Sequence, residues 1–84
     1  MKPDISEFST IPIESIWRDY DANYAGDEGT LAYLYGDWES GIVIVCDCGL
    51  WWAESFDNYD VEADGSGDSP AAALASLMES RQED

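Results

Sequence analysis

Histidine is absent from this chain, and the basic residues are only Lys2, Arg18 and Arg81. Without an imidazole there is no side chain that titrates near neutrality and no nitrogen ligand for zinc. Cys46 and Cys48 have no base or cation beside them to stabilise a thiolate, and no glycine-rich phosphate loop or nucleophile elbow occurs. Nucleophilic and phosphoryl-transfer chemistry therefore lack their parts. Carboxylate pairs can do acid-base work, but among 19 acids such pairs arise by chance. The chain reads as non-enzymatic, with no metal and no cofactor. Two cysteines as Cys46-Asp47-Cys48 are too few and too close for a secreted disulfide framework, so free, largely buried thiols are expected. No apolar run nears the roughly 20 residues that span a bilayer, and the acidic N-terminus lacks a signal peptide's basic and apolar regions. A cytoplasmic protein with no membrane contact is expected.

Carboxylates are what the chain has in excess. Nineteen Asp and Glu against three Lys and Arg give a formal charge of −16, and self-repulsion of that size opposes compaction. From Asp19 to Ser80 there are fourteen acids and no base, so sequence-local ion pairs cannot neutralise them. DNA and anionic lipid are repelled, and basic proteins are attracted. Apolar material is nonetheless ample, at 45% hydrophobic residues with four Trp and five Tyr. The whole chain, 1–84, reads as one folded domain rather than a disordered tail.

Residues 1–10 read as an arm anchored by Ile5 and Phe8. From Pro12, a short helix is predicted, because Ile13, Ile16, Trp17, Tyr20 and Tyr24 follow one helix face. Strands are predicted over 30–35, 42–46, 50–56 and 59–64, with a turn at 36–41 and another at 47–49. Ile42-Val43-Ile44-Val45 is apolar on both pleat faces, as in a central strand covered on both sides or one meeting a partner. Gly65-Ser66-Gly67 reads as a flexible link to a C-terminal helix over 70–80, capped by Asp68 or Ser69 and opened by Pro70. Residues 82–84 read as a frayed tail. The fold class is α+β, a three- or four-stranded antiparallel sheet packed by the C-terminal helix.

Asp60, Glu62 and Asp64 alternate with Tyr59, Val61 and Ala63, which in a regular strand puts three carboxylates on one face. At roughly 3.3 Å per residue they stand about 6.6 Å apart, near the separation of successive phosphates on one nucleic-acid strand. Asp57 and Asp68 flank this row, while Asp37, Glu39, Asp47 and Glu54 fall in or near neighbouring strands and turns. A solvated outer strand would carry the same pattern. Asp60-x-Glu62-x-Asp64-Gly65 also begins like a calcium loop, but Ala71 stands where the bidentate Glu belongs. Trp51 and Trp52 are adjacent, so they face opposite sides of a strand, one in the core and the other either displayed or packed under the N-terminal helix. Trp38, in a turn, and Trp52 are the aromatic candidates for partner binding.

Size, acidity and the mixed helix and strand pattern resemble phage-encoded anti-CRISPR and anti-restriction proteins that mimic DNA. The resemblance implies an inhibitor in the host cytoplasm, binding the basic nucleic-acid-binding surface of a Cas complex or other defence enzyme. On that view Asp57, Asp60, Glu62, Asp64, Asp68, Asp37 and Glu39, with Trp38 and Trp52, meet its Lys and Arg. Val61 to Gly65, leading to Gly67-Asp68-Ser69-Pro70-Ala71-Ala72-Ala73-Leu74, is similar to the strand, turn and helix of HicB-type antitoxins, which implies a basic RNA-cleaving toxin as partner. Adaptation to a saline cytoplasm is the remaining reading of the acidity.

Overall fold

A computed structural model describes residues 4–19, 24–37 and 39–81. A 3-10 turn (Ile5–Glu7) leads into β1 (Ser9–Pro12), α1 (Ile13–Asp19), β2 (Leu31–Tyr35), β3 (Ile42–Asp47), β4 (Leu50–Asp57), β5 (Asp60–Gly67) and α2 (Pro70–Arg81). The strands form one antiparallel sheet in the order β1-β2-β3-β4-β5, each paired with its neighbour in sequence. The α+β class with a C-terminal helix and a short N-terminal helix is what the sequence indicated. The strand count is five, not three or four.

The additional strand comes from the supposed arm. Asp4 and Glu7 close a reciprocal capping box around the 3-10 turn, which satisfies two backbone donors. Phe8 is buried and lies 5.3 Å from the Tyr35 ring centroid. So anchored, residues 9–12 pair with β2, Ser9 opposite Leu34 and Pro12 opposite Leu31. Pro12 thus closes a strand, and α1 begins one residue later.

Central strand β3 is buried on both faces. On one, Ile42 and Ile44 join Ala53 of β4 beneath Ala73, Leu74 and Leu77 of α2. On the other, Val43 and Val45 join Ala32 of β2 beneath Ile13 and Ile16 of α1. The first helix is shorter than its apolar spacing predicted. Tyr20 lies outside the described residues, and Tyr24 is in irregular chain yet still packs on the same cluster as Ile16 and Trp17. Gly26 permits that return, since a side chain there would meet Ile13 at 2.6 Å and its φ is 142°.

Gly65-Ser66-Gly67 is not a link. It completes β5, opposite Ala53, Trp52 and Trp51. A Cβ on Gly65 would lie 2.3 Å from the Leu77 backbone nitrogen, and one on Gly67 would lie 2.6 Å from the Ala72 Cβ. Glycine is required here for close approach, and α2 rests directly on β5. Ser69 caps α2, its Oγ accepting from the Ala72 N–H at 3.1 Å.

The thiols are free but not largely buried. Cys46 is half-buried at the end of β3, while Cys48 is exposed in the tight turn to β4, with φ 55° beside Gly49 at 79°. Positive φ at both positions is the type I′ form of a two-residue hairpin turn, which leaves Cys48 at the exposed tip. Asp27 braces this turn, accepting from the Cys48 N–H at 3.2 Å, and its own N–H bonds the Cys46 carbonyl at 2.8 Å.

Candidate functional site

Pairing of β4 with β5 decides where the carboxylates point. Ser55 pairs with Ala63 but Phe56 pairs with Val61, so Glu62 is left without an opposite residue. This is a β-bulge, and it breaks the alternation on which a three-carboxylate row depends. Glu62 turns to the α2 side, where Ser55 Oγ donates to its Oε1 at 3.4 Å and Arg81 Nε lies 3.5 Å away. Asp64 stands directly opposite Glu54 on the other face, and Asp60 is opposite Asp57 beside the hairpin tip. The expected single row of Asp60, Glu62 and Asp64 is therefore overturned. The same geometry removes the calcium-loop reading, since an extended strand with Glu62 and Asp64 on opposite faces cannot wrap one ion.

The turn with Asp37 and Glu39 lies beside the β4–β5 hairpin, where the Tyr59 N–H donates to the Glu39 carbonyl at 3.1 Å. Asp37 Oδ1 accepts from the backbone N–H groups of Glu39 and Ser40, both at 3.0 Å, and so organises its own loop. Glu39 is exposed there, Asp68 is exposed between β5 and α2, and Trp38 lies outside the described residues. Asp57 joins Glu62, Arg81, Ser55, Tyr35 and Ser40 around a cleft of about 270 Å³ on the α2 side. In it Arg81 is already engaged by Glu62.

On the opposite face the chain assembles a group that the sequence did not gather. Trp51 points toward α2 and meets Tyr33 edge to face at 5.9 Å. Trp52 consequently projects to the α1 side, where it is 42% exposed. Beside it, Tyr24, Ala25, Val45, Asp47, Glu54 and Asp64 line a cleft of about 300 Å³. The Tyr24 hydroxyl donates to Glu54 Oε1 at 2.5 Å. Burial raises the Tyr24 pKa far above its ordinary value, and the hydrogen bond and charge of Glu54 push the same way. The phenol therefore stays a neutral donor that fixes the carboxylate.

Charge in this cleft is not balanced from within. Arg18 forms a two-point contact with adjacent Asp19, at 2.8 and 3.1 Å, and holds that carboxyl below its usual pKa. Arg81 is taken by Glu62. Among the described residues no cation faces Asp47, Glu54 or Asp64. Glu54 and Asp64, directly opposite on adjacent strands, repel one another, an arrangement that weakens a sheet. The alternation of Trp52 with Glu54 was legible as a shared face, but Tyr24 reaches it from irregular chain and Asp64 through a bulge, and neither has a periodic signature.

Among the described residues no helix is long and apolar enough to cross a membrane. No protein-family model matches the chain, no curated protein matches it, and no solved structure matches its fold.

Proposed function

We propose that this domain is a non-enzymatic inhibitor that occupies the basic nucleic-acid-binding surface of another protein and blocks access of DNA or RNA. The observation that carries the reading is the β4–β5 hairpin, which bears Asp57, Asp60, Glu62 and Asp64 while the described arginines are both engaged by acids. Because the bulge divides these acids between the two faces, the hairpin is an acidic blade rather than a single phosphate-like row. A blade of this kind fits between the basic walls of a nucleic-acid channel, and its long-range field speeds association. A Cas complex or restriction enzyme in the host cytoplasm is the target class that the resemblance to anti-defence proteins implies.

The decisive experiment immobilises the domain, challenges it with lysate in dilute buffer, and asks whether bound protein is released both by salt and by competing DNA or RNA. A basic nucleic-acid-binding protein displaced by nucleic acid, and no longer retained by Asp60→Lys with Asp64→Lys, is the expected result. Retention of no such protein by the folded domain sinks the proposal. The strand, turn and capped helix from Val61 to Arg81 favour the antitoxin-like reading as the second choice. Recovery of a small basic ribonuclease in the same experiment would select it.

A further inference from the structure

We propose that the cleft beside Trp52 is a receptacle for one arginine side chain of the basic partner, its guanidinium stacked on the indole and bonded to Glu54 and Asp64. This rests on the reading above and names where and how it is realised.

Four observations converge on that occupant. The cleft has an aromatic wall, since Trp52 is 42% exposed on the α1-side face of β4. Its volume of about 300 Å³ is at the small end of ligand sites, enough for one long side chain. Its rim is anionic, with Asp47, Glu54 and Asp64 facing no cation among the described residues. Finally, Glu54 and Asp64 are held opposite one another, a repulsive pairing that a cation placed between them turns into attraction. The Tyr24 hydroxyl fixes one oxygen of Glu54, so that carboxylate is oriented before the partner arrives.

Arginine fits better than lysine. A guanidinium is flat enough to stack on an indole and carries donors along its edge for two carboxylates at once, whereas an ammonium is a compact, strongly hydrated point charge. A second copy of this chain is disfavoured because each copy carries a charge of −16. A bare metal ion is disfavoured because the indole wall offers no ligand. No group of three or more His, Cys, Asp or Glu among the described residues is arranged to hold one.

The test uses two short labelled peptides of equal length and charge, one arginine-rich and one lysine-rich, titrated with the whole domain in dilute buffer. The arginine peptide is expected to bind about fivefold tighter or more. Trp52→Leu, which keeps an apolar side chain at an exposed position, should erase that preference. Asp64→Asn should weaken the arginine peptide severalfold while raising the melting temperature of the free domain, so that lost binding is not lost folding. Glu79→Gln removes the same charge from the exposed side of α2, away from the cleft, and should change affinity less than twofold. Equal affinity for the two peptides, or a Glu79→Gln effect as large as that of Asp64→Asn, overturns the receptacle and leaves the broader reading standing. Failure of the folded domain to bind either peptide overturns both.

Discussion

Tyr24, which the sequence periodicity placed on one helix face with Ile13 and Ile16, joins the α1 cluster to Glu54 of β4. Tyr24 itself lies in irregular chain, its ring packing on the α1 cluster while its hydroxyl donates to Glu54. The bond has a consequence at high pH. Because the folded-state pKa of Tyr24 is raised above the unfolded value near 10.0, its contribution is complete below pH 10.0 and declines above it. There the unfolded chain releases a proton that the folded chain keeps, at a limit of about 1.4 kcal/mol per pH unit. Denaturant unfolding at pH 9 and at about pH 11 should show a smaller alkaline loss in Tyr24→Phe than in the parent. Equal losses would mean that other groups govern the alkaline limb. Single positions also mark what was legible. The opposed directions of Trp51 and Trp52 follow from strand geometry alone, whereas the direction of Glu62 depends on how β4 pairs with β5, which no property of Glu62 announces.

Elements with strong local signals were readable in the sequence. The Ser69-Pro70 start of α2 and the doubly apolar run of β3 appear where the residues indicated, because capping chemistry and pleat periodicity act over a few positions. Strand β1 was not readable, since Ser9–Pro12 has little apolar alternation and owes its conformation to the anchoring of Phe8 beside it. Residues 65–67 were misread for a different reason. Glycine commonly signals flexibility, but here the absence of a side chain lets α2 lie against β5. Gly65→Ala opposes two effects. Restricting the unfolded chain stabilises by about 0.4–1 kcal/mol, while forcing a methyl group against the Leu77 backbone costs about 1–3 kcal/mol. The clash should win, with a lower urea midpoint and an unchanged denaturant slope. A midpoint at or above that of the parent would show that α2 can slide.

For the whole molecule, a formal charge of −16 makes salt the variable that separates folding from binding. Screening with a Debye length of about 10 Å at 0.1 M salt relieves repulsion among exposed acids, so the free domain should melt somewhat higher as salt rises while its hold on a basic partner weakens. A salt-adapted protein would instead unfold in dilute buffer. Circular dichroism melts from low to molar salt distinguish the two, and loss of structure in dilute buffer would place the acidity with habitat instead of partnership. The composition made this question legible, but it did not reveal that the acids divide between two faces of one hairpin.

The meander of strands also governs the order in which the chain can mature. Each strand finds its mate immediately upstream, so the sheet is able to zip up progressively as translation proceeds. The surface made by Ile44, Ala53 and Ala63 nevertheless stays bare until α2 has left the ribosome to seat on it. Premature termination just before Ser69 should yield a sticky product prone to proteolysis.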